Sequence, residues 1–417
     1  MSGDAVPMIQ RIGQSRTILA AFMLVAVMLV TISAVRFQSP ELLGQDKVLT
    51  DFDAFYIAGT LASEGAVGDA YHAASMIKAQ KRILGEQSFM PWTYPPPFTL
   101  FVEQLASLPI GVAYSMFALG SFGFYLVVLH RIAGPWLPGV LVLAMPLVLL
   151  NLRTGQNGFL TAGLIGSFLL LWRARTHWAG VPLGLMIIKP HLAVGIGLMA
   201  LFGKRWSVVA TSAAVVLLAL ALATFAYGFP VWTYFLGAVK ESGAFLAEGY
   251  YPLFRMSSLY AALRSWGLST DWAMAGHLAG TVMAVGLLLW ISFAEIEFHH
   301  RAALICALSL FVSPYNYDYD LTILSVGLAF IAPELAAHAT PRAAAGLLAQ
   351  AWVTFGYGVL FSALLATGRT DGCNLATGIA PTVIAPTVIA PMLIGLCIAI
   401  TRLTKQRSEN NTAPAKA

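Results

Sequence analysis

The sequence predicts an all-α polytopic membrane protein. Of its 417 residues, 58% are hydrophobic and 10% are charged, whereas a soluble domain carries ~25% charged residues to keep its surface wet. The apolar residues come in runs: Ile18 to Val35, Val208 to Tyr227, Met274 to Phe293. Each run holds a stretch near the ~20 residues that carry a helix across a bilayer core. The basic residues behind the formal net charge of +5 sit in short connections between such runs. There they act as topology signals rather than as a nucleic-acid surface.

The first run is long and is followed by Arg36 and Phe37 rather than by a small-residue cleavage site, so it is expected to stay as an uncleaved first helix. Arg11 and Arg16 before it place the N-terminus in the cytoplasm. Residues 36–95 then form one long extracytoplasmic loop. His130/Arg131, Arg173/Arg175, Lys204/Arg205, His299/His300/Arg301, Arg342 and Arg402/Lys405/Arg407 fit the cytoplasmic side in alternation. That path brings the 36–95 loop, Arg153–Asn157, the 229–270 loop, Ser313–Asp320 and Arg369–Asn374 to the outer face.

Two stretches resist simple counting. Residues 96–130, with Pro109 and Gly111, read either as a short interfacial helix and a span or as two short spans. Residues 178–203 have basic flanks at both ends and are expected to enter and return, turning at Lys189-Pro190-His191, because proline breaks a helix. Non-helical backbone at depth is tolerated where it is buried in protein or faces a water-filled cavity. The count is 10 to 12 hydrophobic segments. Residues 1–402 are expected to form a single transmembrane domain and 403–417 a disordered cytoplasmic polar tail. Ala380 to Pro391 reads APTVIAPTVIAP, a short duplication to which no function is assigned. Cys306, Cys373 and Cys397 show no metal spacing and no disulfide framework, and each is expected to be a small packing residue.

The first outer loop carries most of the chemistry-bearing residues. It contains Thr50-Asp51-Phe52-Asp53-Ala54-Phe55-Tyr56-Ile57-Ala58-Gly59, then Asp69-Ala70-Tyr71, then Trp92-Thr93-Tyr94-Pro95-Pro96-Pro97. The acids and the residues after them are expected to form an amphipathic helix along the membrane surface. A carboxylate there suits a general base, which removes the proton of an attacking hydroxyl. Asp51 and Asp53 are two apart, so on a helix they point to different sides. The alternative is structural: Asp51 as helix N-cap and Asp53 as a solvated first-turn acid.

The ordered set D-F-x-x-F-Y-x-A-G from Asp51, G-x-x-x-x-A-Y ending at Tyr71, Y-P-P-P-F from Tyr94, Gly155-Gln156-Asn157, Ala179-Gly180 through Lys189-Pro190, and Ser313-Pro314 resembles glycosyltransferase family 87 over about residues 45 to 330. The resemblance implies a GT-C-type helix bundle whose first outer loop carries short interfacial helices. It includes the mannosyltransferases that use polyprenyl-phosphate mannose, and it maps the catalytic base onto Asp51. One departure is that Ser313-Pro314-Tyr315-Asn316-Tyr317-Asp318-Tyr319-Asp320 holds no histidine, which some members have after this Ser-Pro.

A lipid-phosphate leaving group calls for cations. Lys189, Arg153, His191 and Arg255 are the candidates, with Arg264 behind them, since charged groups in apolar surroundings are costly and default to functional readings. The competing reading of Lys189 is an ion pair with Glu103, and that of Arg255 is headgroup snorkelling. Asp53, Tyr56, Tyr94, Gln156, Asn157, Tyr317 and Asp318 are candidates for sugar or acceptor contact. The sequence has no Walker motif, no G-x-G-x-x-G with a soluble domain, no H-E-x-x-H and no cysteine cluster. The expected partners are the bilayer of the plasma (inner) membrane, a polyprenyl-phosphate sugar and a glycolipid or glycan acceptor. No cofactor is expected, and the need for a divalent metal stays open. A transporter or lipid flippase is the competing class, but the paired halves and matching broken helices frequent there are not visible.

Overall fold

The computed structural model describes residues 11–366. The repeat at 380–391, Arg369–Asn374, Cys373, Cys397 and the tail from Arg402 lie outside them. The described residues are helical, with no strand; Met256 and Tyr317 form an isolated antiparallel bridge. Among the described residues five helices are long and apolar enough to cross a membrane: Arg16–Gln38, Ile110–Leu143, Trp206–Tyr227, Thr270–Phe293 and Asp318–Ala337. Shorter apolar helices lie at Gly158–Arg173, His177–Ile188, Pro190–Phe202 and Phe298–Phe311. The chain is a multi-pass membrane protein, as the runs predict.

The described chain forms two compact units interleaved in sequence. One draws on the described residues up to Phe22, Val128–Leu147 and the described residues from Phe254; the other on Met23–Val127 and Val148–Leu253. The 96–130 stretch resolves into an 11-residue helix, Pro96–Ala106, and the long helix that starts at Ile110. This is the first of the two alternatives, and Pro109 stands at the break.

Residues 177–203 form the expected hairpin. Turns at His177–Ala179, Gly180–Leu185 and Met186–Ile188 lead in; Lys189 breaks the helix at φ −145°, ψ 72°; Pro190–Ala193 and Val194–Phe202 lead out. Gly180 packs on Val208 and Thr211 and Gly184 on Ser212 and Val215, with no room for a Cβ, so the incoming arm runs in the same direction as the Trp206–Tyr227 helix. The outgoing arm ends where Gly203 abuts the Trp172 ring. The Arg205 guanidinium lies 3.8 Å from that ring's centre and donates to the Trp172 carbonyl. Both ends of the segment thus lie near Trp172 and the start of the following helix, and each arm is too short for a bilayer core of ~30 Å. The tip is Lys189.

The Asp51–Ser63 helix departs from expectation. It does not lie amphipathic along a surface. Phe52, Asp53, Ala54, Phe55, Ile57, Ala58, Gly59, Leu61 and Ala62 are all buried. Gly59 lets the Pro96–Ala106 helix approach, since a Cβ there would strike the Val102 carbonyl. Phe55 stands edge-on to Trp92, Tyr94 and Phe98, with ring centres 5.2–5.8 Å apart, and such pairs each add ~0.5–1.5 kcal/mol beyond area burial. The amphipathic helix of this loop is Ala73–Leu84, which buries Met76, Ala79 and Gln80 and exposes Lys78, Lys81 and Arg82. Cys306 is fully buried, as its packing role requires.

Candidate functional site

The N-terminus of the Asp51–Ser63 helix separates its two acids. Thr50 is extended, at φ −131°, ψ 179°, and is the N-cap; Asp51 is the first helical residue. Asp53, three residues past the cap, turns its carboxylate back onto the helix end. Oδ2 accepts from the Thr50 backbone N–H at 2.7 Å, and Lys47 Nζ meets Oδ1 at 2.9 Å. The Asp53 side chain is 0% exposed. Burial pushes its pKa up, and Lys47 and the Thr50 donors pull in the opposite direction. The structural alternative of a solvated first-turn acid does not hold for Asp53, a candidate for sugar or acceptor contact: it is buried, capping the helix and paired with Lys47. Asp51 is the N1 residue rather than the cap, and it is partly exposed. The two acids do point to different sides.

Tyr94, Gln156 and Lys189 come together in the same unit. Lys189, 6% exposed, holds its ammonium 5.7 Å from the centre of the Tyr94 ring, a cation–π arrangement. The Tyr94 hydroxyl donates to Gln156 Oε1 at 3.3 Å, and the Asn157 N–H donates to the same oxygen at 2.9 Å. Asn157 stands at the N-cap of the Gly158–Arg173 helix but does not cap it with its side chain. Asn151 does so instead, accepting from the Gly158 N–H at 3.1 Å. The Asn157 side chain is fully buried, and neither its oxygen nor its nitrogen has a hydrogen-bond partner among the described residues. A buried amide without a partner costs ~1–3 kcal/mol, and a ligand hydroxyl or a water would relieve it.

Gly155 adopts φ +67°, and a Cβ there would collide with Phe52, the residue after Asp51. The Gly155-Gln156-Asn157 turn is thus seated directly on the start of the acidic helix. Arg153, exposed in the turn before, interacts electrostatically with half-buried Arg36 at the end of the first span, as does Asp53. Two guanidinium groups within range of each other favour an anion between or beside them. Arg36 and Lys47 were not singled out as site residues from sequence; the first reads there as a residue after a span and the second as one lysine in a loop. His191 follows Pro190 at the hairpin tip and is half-buried.

Other candidates are committed elsewhere. The Tyr56 hydroxyl donates to the Leu108 carbonyl at 3.0 Å, so it joins the packing instead of reaching toward a sugar. Glu103 accepts from the Tyr227 hydroxyl at 2.5 Å. Arg264 donates to the Leu268 carbonyl at 2.8 Å, closing its own short helix.

In the other unit, Arg255 grips Asp318 by two contacts, Nε to Oδ2 at 3.3 Å and Nη2 to Oδ1 at 3.2 Å. The rings of Tyr317 and Tyr319 are parallel at 5.5 Å, and the guanidinium lies 5.8 and 5.9 Å from their centres. Asp318 is 6% exposed. Arg255, read from sequence as a phosphate ligand or a headgroup snorkeller, is instead the counter-ion of a buried acid. Asp318 and Tyr317, read as sugar contacts, build its cradle.

No curated protein matches the chain. Among solved structures it is similar to the crystal structure of ArnT from Cupriavidus metallidurans bound to undecaprenyl phosphate. The TM-score is 0.39 at 12% identity, covering 93% of this chain and 77% of that one. The family model for Glycosyltransferase family 87 matches residues 92–314, from the Trp92-Thr93-Tyr94 segment through Gly155-Gln156-Asn157 and Lys189 to Ser313-Pro314. Asp51 lies ahead of that stretch. The match takes in more than half of the sequence, and the chain belongs to glycosyltransferase family 87.

Proposed function

We propose that this glycosyltransferase moves mannose from a polyprenyl-phosphate donor to a lipid-linked or periplasmic glycan acceptor, with inversion and with Asp51 as general base. The observation that carries the assignment of the base is the unequal fate of the two acids. Asp53 has no exposed surface and both its oxygens are engaged; Asp51 is partly exposed. A base has to meet the hydroxyl it deprotonates within hydrogen-bond reach, which favours Asp51. In the proposed step the acceptor oxygen bonds to the anomeric carbon as the bond from that carbon to the phosphate oxygen breaks. The acceptor proton passes to Asp51, and the bonding pair leaves with polyprenyl phosphate. A single displacement inverts the anomeric carbon.

Lys189, Arg153 and Arg36 are the cations assigned to the phosphate. Charge-assisted donors there stabilise the negative charge that develops on the leaving group. His191 is held as a further donor at the hairpin tip. Gln156 and the buried amide of Asn157 are assigned to sugar hydroxyls, and Tyr94 supplies a ring face beside them. No residue of this site is assigned to a metal, and the chelator arm of the assay tests for a divalent-ion requirement.

The test is transfer by purified protein in detergent across a panel of polyprenyl-phosphate sugars, with and without chelator. Release of polyprenyl phosphate with polyprenyl-phosphate mannose, and not with the glucose or arabinose analogues, supports the reading. Turnover of none of them overturns it. We place the site on the extracytoplasmic side of the plasma membrane, following the basic flanks of the first span. Cysteines introduced singly at Ser63 and Ser88, both exposed, are then expected to react with a membrane-impermeant thiol reagent in whole cells. Labelling only after lysis would reverse the side.

A further inference from the structure

We infer that His299, His300 and Glu334, none of them a residue of the proposed transfer site, form a binding site for a divalent transition-metal ion. The Phe298–Leu308 helix packs against the Thr322–His338 helix. At its first turn, His299 Nε2 and His300 Nε2 both lie 2.8 Å from the same oxygen, Glu334 Oε2. Neighbouring residues on a helix normally diverge by about 100°; here their two rings lie 3.9 Å apart, centre to centre, and converge on one atom. The three ligand atoms lie within 4.8 Å of one another.

The second imidazole nitrogen of His299 decides the chemistry. Nδ1 faces Glu297 Oε2 at 3.4 Å. A carboxylate on that side fixes the proton on Nδ1 and leaves Nε2 with a lone pair, which is the arrangement that prepares histidine for a metal. In the neutral ring that lone pair would point at an oxygen of Glu334, and two lone pairs at hydrogen-bond distance repel. A proton on Nε2 or a cation shared by the two groups relieves the conflict. Two imidazole nitrogens and one carboxylate oxygen give a single cation three ligands at once, whereas without it each Nε2 needs a proton of its own to meet that oxygen.

Two histidines and one glutamate suit zinc, with bonds of ~2.0–2.2 Å and a fourth position open to water. Hard cations such as magnesium prefer an all-oxygen shell. The side chains of His300, Glu334 and His299 are 12, 22 and 30% exposed, so an ion has access from solvent. Glu334 follows Asp318 by 16 residues along one apolar helical span. At 1.5 Å per residue that is roughly 24 Å, which puts the cluster at the opposite end of the span from the Arg255–Asp318 pair. An ion there would clamp the two helices together.

The experiment uses tag-free, full-length protein in detergent, stripped with chelator and titrated with Co2+ alone at a pH above the ordinary histidine range. One equivalent with the visible bands of a low-coordinate site, displaced by Zn2+, is expected. Glu334→Gln and His300→Ala should abolish the bands, whereas His177→Ala, at an exposed histidine elsewhere, should leave them unchanged. Glu297→Gln, at a surface position that does not threaten folding, should weaken binding by ~10–100-fold as loss of an outer partner does. Zn2+ should raise the thermal midpoint of wild type and not that of Glu334→Gln. If wild type binds no Co2+, the contact is a pair of Nε2–H donations to the Glu334 carboxylate and the inference falls. Bands surviving in both Glu334→Gln and His300→Ala overturn it equally.

Discussion

The chain builds the same local device twice and puts it to different uses. Asp51-Phe52-Asp53 and Asp318-Tyr319-Asp320 both open a helical segment, with Thr50 and Tyr317 as the residues before it. In each, the second acid turns back: Asp53 accepts from the Thr50 N–H at 2.7 Å and Asp320 from the Tyr317 N–H at 3.2 Å. Both satisfy an orphan donor at a helix start, half of a capping box. The first acids differ. Asp318 is buried and gripped by Arg255 with two contacts, and the helix residue Gly358 packs against it with no room for a Cβ. Asp51 keeps part of its surface exposed. Local sequence therefore fixes the role of the third helical residue, and tertiary surroundings decide whether the first becomes structural or stays accessible.

Swapping the first acids for their amides should break this symmetry most visibly. Asp51→Asn keeps shape and hydrogen bonding but cannot take a proton near neutrality. Loss of a general base costs ~10²–10⁴-fold in rate, read as initial transfer by purified protein, with donor binding largely retained because the cations are untouched. Asp318→Asn should keep much more of the activity in whatever fraction folds. Equal losses in both would show that accessibility does not distinguish the two acids, and a fully active Asp51→Asn would remove the base from this loop.

The Arg255–Asp318 pair gives the second test, on stability. Arg255→Ala strands a buried carboxylate, which typically costs ~3–5 kcal/mol. A marked fall in the thermal midpoint in detergent is expected. The double variant Arg255→Met/Asp318→Leu removes both charges and should recover much of that loss, because a buried pair contributes little net stability over apolar packing of similar volume. If the double variant folds like wild type yet transfers nothing, the pair contacts substrate and the contrast with Asp51 collapses.

Much of this was legible in the sequence, and the failures share a cause. Three of the five long spans among the described residues follow from the apolar runs Ile18–Val35, Val208–Tyr227 and Met274–Phe293. The hairpin at Lys189 follows from basic residues at both flanks and a proline at the centre, because those signals are local. Asp53 reads as solvated because its partner Lys47 lies outside the helix, and only the path of the chain brings it back. Arg255 reads as a phosphate ligand because Asp318 is 63 residues away. Arg36 reads as a residue that ends a span, and its neighbourhood with Arg153 depends on packing between segments far apart in sequence. The surface helix is misplaced because Asp51–Ser63 is apolar on every side except at its start, a pattern that fits a buried helix better than an interfacial one.

The smallest expected effect concerns Asp53 and its pH dependence. Burial holds the folded-state pKa of Asp53 above the ordinary aspartate value, against the pull of Lys47. A proton then binds the folded chain more tightly than the unfolded one. The group's contribution is fully present below the unfolded pKa of ~3.9 and is lost as pH rises through the folded value. Stability should therefore fall between about pH 4 and that folded value and be flat above it, as far as this residue is concerned. Asp53→Asn has no ionisation to lose, while its amide oxygen can still accept from Thr50. Thermal midpoints of the two proteins, measured in detergent from about pH 4 to neutrality, should diverge in slope at the acid end and run parallel above it. Transfer by Asp53→Asn should drop far less than in Asp51→Asn, since the buried acid takes no proton from the acceptor. An opposite slope, with wild type gaining stability relative to the variant as pH rises, would mean that Lys47 outweighs burial and that the ion pair, rather than the cap, holds the helix start.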